Sequence, residues 1–372
     1  MTKILFFIPT LMHGGAEKVL VNLLNNLDKS KFDATLFCIF DVGINKNFLS
    51  NNIKYQFKFK NVFRGNSQLM KLFSPRFLYS FFIKEDYDIV ISFLEGPAAR
   101  IISGCNSKET KKICWVHTEF LNQKIVDKSF RNLEEAIQCY EKYDFVIAVS
   151  NDVKEAFKRN VTKKVPIKVL YNVNDTQNIV EKSKEIVGEI FDEKLINVCS
   201  IGKIVEVKGY ERLLEVHKRL LDEGIVHRMI ILGIGELKLK LEKKIRSMGV
   251  SDSFLLLGFH ENPYKFLAKS DLYVCSSNRE GFSTAVTEAL VLGVPVVSTN
   301  VSGAKELLGE NNEYGIVTEN STEGLYIGLK EILSEPKKLQ YYKTLAQERG
   351  RFFSKEKTVK EVENLFDSVM HE

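Results

Sequence analysis

Short apolar runs alternate with amphipathic segments along almost the whole chain, and this alternation limits the fold more than any other feature. "KILFFIP" is followed by "GGAEKVLVNLLNNL", where Val19, Leu20, Leu23, Leu24 and Leu27 recur at helical spacing on one face. "FDATLFCIF", a strand-like "IKYQFKF" and a helical stretch over 66–83 come next. Then follow "YDIVISFL", a helix near 97–104, "KKICWVH", a long helix near 121–141, "YDFVIAVS", a helix from Asn151 and "IKVLYN". A charged stretch, "NIVEKSKEIVGEIFDEK", interrupts the pattern. After it a second series runs through "LINVCSIG", helix 208–222, "RMIILG", helix 236–248, "FLLLG", "DLYVCSS", helix 284–292, "PVVSTN", helix 304–308 and "YGIVT", with a helical tail from Thr322. Short buried strands separated by helices predict parallel sheets covered on both faces. A chain of 372 residues is too long for one ordinary core. The pattern therefore predicts an α/β fold of two doubly wound domains, 1–172 and 195–350, joined by a linker over 173–194. Ligands of such sheets bind at the carboxyl ends of the strands, which here would face a central cleft.

Composition removes several function classes. Apolar and charged fractions of 44% and 27% are those of a soluble globular protein, and no apolar run approaches the length of a spanning helix. The first strand begins at Lys3, with no signal peptide before it. Cys38, Cys105, Cys114, Cys139, Cys199 and Cys275 are scattered, without CxxC or Cys/His metal spacing, and several lie inside apolar strands. The expectation is a cytoplasmic, reduced, metal-free protein. Asp86 and Asp88 of "EDYDIV" mimic a metal-binding pair but precede their strand, away from the ligand end, and read as solvated.

The net charge of +5 is unevenly placed. Between Val42 and Lys84 there is no Asp or Glu, yet Lys46, Lys54, Lys58, Lys60, Arg64, Lys71, Arg76 and Lys84 are interleaved with phenylalanines such as Phe73, Phe77, Phe81 and Phe82. The rest of the chain is close to −3. A solvated basic face over core aromatics is one reading of residues 42–84. The other is an anionic membrane surface, which attracts each nearby cation by about 1 kcal/mol. Nucleic acid is not expected as a partner.

Glycines and charged residues collect where strands end. Gly14 and Gly15 of "PTLMHGGAEK" open the first helix, where exposed N–H groups and the helix dipole favour phosphate. The matching loop of the second domain, "SIGKIVEVKGYE", holds Gly202, Lys203, Lys208 and Gly209, and its two lysines can neutralise a diphosphate. Gly233 and Gly235 of "LGIGELK" lack the third glycine of a dinucleotide fingerprint. In "SSNREGFSTAVTEALVLGVPVV", Glu280 follows a strand, Gly281 allows close backbone approach, and Ser283 or Thr284 can cap the helix carrying Glu288. Donors from Phe282 to Thr284 and the two glutamate acceptors suit a ligand with both hydroxyls and phosphates. Two first-turn acids complementing the helix dipole would give the same spacing.

"SSNREGFSTAVTEALVLGVPVVSTNVSGAKELL" resembles the E-x7-E signature of retaining glycosyltransferases of family 4, which have the GT-B fold of two Rossmann-like domains. The likeness is co-linear over nearly the whole chain, through "GGAEKVLVNLL", "WVHTEF", "AVSNDVKEAF", "LYNVND", "SIGKIVEVKGYERLLE", "LGIGE" and "LLGFHENPYKFLAKSDLYVCSS". It is especially similar to enzymes that build bacterial cell-surface or lipid-linked glycans. The resemblance implies a nucleotide-sugar donor, UDP-linked, a glycan or polyprenyl-linked acceptor, no cofactor, and a place at the inner face of the cell membrane. It implies that Lys208 and Lys203 hold the diphosphate, that Glu280 contacts the hexose with help from Phe282, Ser283 and Thr284, and that Glu288 binds the ribose. Gly15 with its helix would close over the diphosphate, His117 would lie beside the reacting sugar, and Ser302 and Gly303 would line the donor site. The tail, 351–372, would cross back to the N-terminal, acceptor-binding domain.

Three positions depart from the family pattern. Lys203 replaces the usual arginine, so a point charge stands for a fork. Val173 replaces the glycine common after the hinge asparagine, here Asn172, and Ser283 replaces the second glycine of "EGFG". Two other readings fit the same fold: a sugar-nucleotide epimerase, and a non-catalytic GT-B partner subunit. Retention of Lys208, Glu280, Glu288 and His117 argues against the latter.

Overall fold

Each series of apolar runs forms one parallel sheet in the computed structural model, which describes residues 1–188 and 190–371. The chain divides into two units, one of Met1–Val173 with the segment from Glu356 onward, the other of Asn174–Lys355. Glu189, in the stretch read as a linker, and Glu372, at the end of the tail, lie outside the described residues.

The first unit holds β1 (Thr2–Ile8), β2 (Phe32–Phe40), β3 (Lys54–Phe59), β4 (Ile89–Ser92), β5 (Lys111–Val116), β6 (Phe145–Ala148) and β7 (Ile167–Val169). Their spatial order is β3-β2-β1-β4-β5-β6-β7. Ile4 through Ile8 are fully buried because β1 lies at the centre, whereas β3 is an edge strand with mostly accessible side chains. The last helix, Lys355–His371, packs on this sheet: Phe366 meets Phe6 and Phe32 with ring centroids 6.1 and 5.9 Å apart, and Glu363 accepts the Asp28 N–H at 2.8 Å.

The second unit holds β8 (Ile196–Ile201), β9 (His227–Leu232), β10 (Phe254–Gly258), β11 (Leu272–Cys275), β12 (Val296–Thr299) and β13 (Ile316–Thr318), in the order β10-β9-β8-β11-β12-β13. Val198, Met229, Ile231 and Val274 pack beneath the helices Tyr210–Asp222 and Thr322–Leu333. Strand order reverses between β1 and β4 in the first sheet and between β8 and β11 in the second. Loops part at such switch points and leave room for a ligand.

Several elements differ from the sequence reading. The stretch 66–83 is two helices, Asn66–Leu72 and Pro75–Phe82, because Ser74 caps the second through the Phe77 N–H at 3.2 Å and Pro75 occupies its first turn. The long helix near 121–141 is divided into Gln123–Val126, a 3₁₀ turn at Asp127–Ser129 and Leu133–Tyr140, since Asn122 and Asn132 each start a new helix. The 173–194 stretch is not a bare linker: Val173 is fully buried in the first unit, and Thr176–Lys182 is a helix of the second, capped by Asp175. All six cysteines are free and buried. Among the described residues no helix is long and apolar enough to cross a membrane.

Candidate functional site

The reversal between β8 and β11 brings together two loops that the sequence keeps about seventy residues apart. After β8 the chain passes Gly202 and the exposed Lys203, makes a 3₁₀ turn over Glu206–Lys208, and reaches Gly209 at φ +65° before the helix Tyr210–Asp222. A Cβ on Gly209 would lie 2.1 Å from the Ser276 carbonyl oxygen, so glycine is required both for the left-handed turn and for the approach of the β11 loop. The two loops are then joined by hydrogen bonds. Ser276 Oγ donates to the Lys208 carbonyl at 2.8 Å, and the Asn278 N–H donates to the Val207 carbonyl at 2.7 Å. Arg212 donates through Nε and Nη2 to the Ser276 carbonyl at 2.8 and 2.6 Å, and through Nη2 to the Ser277 carbonyl at 2.6 Å. From β12, Thr299 Oγ1 also donates to the Ser277 carbonyl, at 2.7 Å.

At the centre Lys208 Nζ donates to Glu280 Oε1 at 2.7 Å, and Ser277 Oγ donates to the same oxygen at 2.5 Å. Burial works to depress the Lys208 ammonium, but Glu280 outweighs it and the net shift is upward, so the lysine stays charged. One ammonium N–H and one carboxylate oxygen are used. The other Glu280 oxygen and two Lys208 N–H groups have no protein partner among the described residues. The pair combines a cation and an anion, each with open valences, at strand ends that can receive a ligand bearing phosphate and hydroxyl groups.

Ser283 caps the helix Thr284–Val291 by accepting the Val286 N–H, and Glu288 lies one turn in, buried. Gly281 and Phe282 are buried between Glu280 and this cap, and Phe282 packs on Phe353 with ring centroids 6.2 Å apart. Gly303, at φ +77°, lies against Phe282: a Cβ there would meet the ring at 2.8 Å. Ser302 beside it is also buried. Gly233 and Gly235, weak as a dinucleotide fingerprint, serve packing instead. A Cβ on either would come within 1.9 and 2.2 Å of the Gly202 and Ile204 carbonyl oxygens.

In the first unit Gly14 precedes the helix Gly15–Asn26 with ordinary extended backbone at φ −131°. His117 follows β5, and its N–H is accepted by Glu95 Oε2 at 3.0 Å, from the loop after β4. Burial pushes the imidazole down to about 3, so it is neutral, and its Nε2 is a buried atom without a hydrogen-bond partner. The second unit thus joins Lys208 and Glu280, with Gly202 against the Lys208 side chain and the 281–288 segment following Glu280 in the chain. Lys203 is exposed on the same loop as Lys208 and has no bond to the pair among the described residues, and Gly14, Gly15 and His117 belong to the first unit. Arg212, Ser276, Ser277, Thr299 and Glu95 carried no signal of their own in the sequence, although both serines stand just before the E-x7-E run.

Residues 13–178 match the family model described as Glycosyltransferase Family 4, and residues 181–349 match Glycosyl transferases group 1. The chain is 28% identical, over 97% of its length and 98% of the relative's, to N-acetylgalactosamine-N,N'-diacetylbacillosaminyl-diphospho-undecaprenol 4-alpha-N-acetylgalactosaminyltransferase of Campylobacter jejuni. It is 32% identical to an uncharacterized glycosyltransferase of Methanocaldococcus jannaschii, over 54% of the chain and 51% of that relative. Among solved structures it is similar to Anabaena Alr3699/HepE in complex with UDP and glucose, with a TM-score of 0.80, 18% identity, and coverage of 99% of this chain and 100% of that one.

Proposed function

The chain is a glycosyltransferase of family 4 with the GT-B fold, and from that premise we propose that it moves a hexose or N-acetylhexosamine from a UDP-sugar to a hydroxyl of a lipid-linked glycan, with retention and without a metal ion. The observation that carries this reading is the Lys208–Glu280 pair with its open valences at the β8/β11 switch point. Lys208, Lys203 and the N-terminus of the Thr284–Val291 helix supply the positive charge that a departing diphosphate needs. Glu280 accepts from the hexose hydroxyls through its open oxygen, and Glu288 serves the ribose. In the first unit, Gly14, Gly15 and His117 keep the roles that the sequence and its family resemblance imply for them, His117 as a neutral imidazole. No cofactor is required beyond the donor. The acceptor class is supported by the relative whose name specifies a diphospho-undecaprenol-linked substrate, and UDP by the similar structure that holds it.

The step breaks the bond between the sugar's anomeric carbon and the diphosphate oxygen. A bond to the acceptor oxygen forms on the same face, and the acceptor's proton passes to the departing phosphate. Thermal stabilisation by UDP, GDP and ADP, then by individual UDP-sugars, tests the donor half of this reading. A ligand at 100 times its dissociation constant adds about 2.7 kcal/mol. Stabilisation by UDP and one UDP-sugar is expected, with the sugar-specific part lost in Glu280→Ala. A chain indifferent to all three nucleotides, or a Glu280→Ala variant that responds like the parent, would overturn it.

A further inference from the structure

We infer that the helices Asn66–Leu72 and Pro75–Phe82, with the edge strand β3, form a docking face for an anionic lipid bilayer, and that Phe73, Phe77 and Phe81 are the side chains it takes in. This goes beyond the donor-site reading and rests on different residues.

The three phenylalanines, spaced four apart, form a ladder. Phe73 stacks on Phe77 with centroids 5.0 Å apart at 19°, and Phe77 on Phe81 at 6.2 Å and 14°. They stay 39%, 51% and 37% exposed, and Leu69 and Leu72 beside them are exposed as well. Isolated apolar side chains on a surface are ordinary, but a contiguous aromatic ladder is a mark of an interaction site. The ladder has a firm footing. Phe81 contacts the buried Phe82 at 5.2 Å, and Phe82 contacts Phe7 and Phe37 of the central strands at 5.9 and 6.3 Å. The backbone under it is held too. Arg100 donates to the Met70 and Phe73 carbonyls at 3.0 and 2.8 Å, and Arg131 to those of Lys71 and Leu72 at 2.7 and 3.1 Å.

Charge selects the occupant. Lys46 and Lys54, in the same acid-free stretch, are paired with Asp41 and Glu85 across its borders. Lys58, Arg64, Arg76 and Lys84 pair with no carboxylate among the described residues. Lys58 Nζ instead sits 4.1 Å above the Phe81 ring. An exposed aromatic ladder with Lys58 over one ring, on a stretch of chain that also carries the exposed Arg76 and Lys84, matches an interface of anionic headgroups over acyl chains, where each cation strengthens partition about fivefold.

Flotation of the full chain with phosphatidylcholine vesicles containing about 30% phosphatidylglycerol tests this. The parent is expected to float, less so in about 0.5 M salt. Phe77→Ser with Phe81→Ser, and separately Arg76→Glu with Lys84→Glu, should each reduce partition at least tenfold while the melting temperature and the response to UDP stay unchanged. Trp115 is the chain's one tryptophan and is fully buried, so Phe77→Trp adds a single exposed reporter. Its emission should shift to the blue with these vesicles and be quenched by brominated lipid. A parent that stays in solution, floats equally with pure phosphatidylcholine, or floats undiminished after either double substitution overturns the inference, as does a Phe77→Trp emission indifferent to vesicles. Flotation by a parent indifferent to UDP would support this face and count against the donor site alone.

Discussion

Arg100–Glu135 in the first unit and Lys208–Glu280 in the second are ion pairs of the same formal kind, yet they are built differently. The Arg100 and Glu135 side chains are 2% and 15% exposed, and Arg100 makes four hydrogen bonds: Nε and Nη2 to Glu135 at 3.1 and 2.7 Å, and Nη1 and Nη2 to the Met70 and Phe73 carbonyls. Glu135 Oε2 also takes the Arg131 N–H at 2.7 Å. Lys208 and Glu280 are 26% and 13% exposed, and they share one bond. A buried pair with its groups engaged can hold structure and little else. A pair with open valences at a switch point can exchange its partner for a ligand. Counting ion pairs would not separate the two; counting their unused hydrogen-bonding groups does.

The largest effect expected from this contrast is on folding. Arg100→Ala leaves Glu135 charged, buried and short of its partner, and should cost about 3–5 kcal/mol of stability. Urea unfolding would show it, while turnover per folded molecule on a water-soluble acceptor stays near that of the parent. Lys208→Ala should weigh on turnover instead, lowering kcat/KM about 10²–10³-fold. It should move the urea midpoint less than Arg100→Ala does, because Glu280 loses one bond and keeps the one from Ser277. If Arg100→Ala abolished turnover in folded protein, or Lys208→Ala unfolded the chain, the distinction between saturated and open pairs would fail. A smaller effect sharpens it. Arg212 touches no open valence itself, but it fixes the Ser276 and Ser277 carbonyls behind Glu280. Arg212→Ala should lower kcat about tenfold with the donor KM little changed, the scale of a displaced positioning group. Arg212→Lys, which cannot span two carbonyls with a fork, should recover only part of the loss.

The sequence shows the parts of this arrangement that are local. Lys208 and Gly209 stand together at a strand–helix turn, Glu280 and Glu288 flank a cap, and the βα alternation announces both sheets. What it hides is chemistry directed at backbone. Arg100, Arg131 and Arg212 act on carbonyls of residues 27 to 65 positions away, and a carbonyl leaves no trace in residue identity. The same reason conceals Gly233 and Gly235, which look like a damaged phosphate loop and are in fact spacers against the Gly202 and Ile204 carbonyls. The break within 66–83 was there to be read in Ser74-Pro75, a cap followed by a first-turn proline, but the run of phenylalanines at helical spacing outweighs it in any periodicity argument.

Two histidines repeat the contrast without charge, and they give the smallest expected effect. Burial pushes both His117 and His217 down to about 3, the latter helped by His227. His217 is satisfied at both nitrogens: Nδ1 lies 2.9 Å from His227 Nε2, and Nε2 lies 2.9 Å from Ser253 Oγ, while His227 Nδ1 reaches the Ile225 carbonyl at 2.9 Å. One tautomer set satisfies the whole chain, with Ser253 donating to His217, His217 to His227, and His227 to Ile225. His117 keeps a buried, unpartnered Nε2 instead. In the unfolded chain an imidazole binds a proton near pH 6.5, and the folded His217 does so only near 3. The folded state therefore carries fewer protons in that window. Its contribution to stability is complete above about pH 6.5 and is lost as pH falls toward about 3, by roughly 1.4 kcal/mol for each unit. His117 and His227 are shifted in the same direction and add to the parent's slope, so the informative quantity is a difference. Urea midpoints of His217→Gln should fall less steeply than the parent's between about pH 6.5 and 4.5, by about one proton. His117→Gln should remove a proton from the slope too, but it alone of the two should lower turnover at pH 7.5 in protein that remains folded. Equal losses of turnover in both variants would mean that a satisfied histidine and an open one cannot be told apart by their hydrogen bonds.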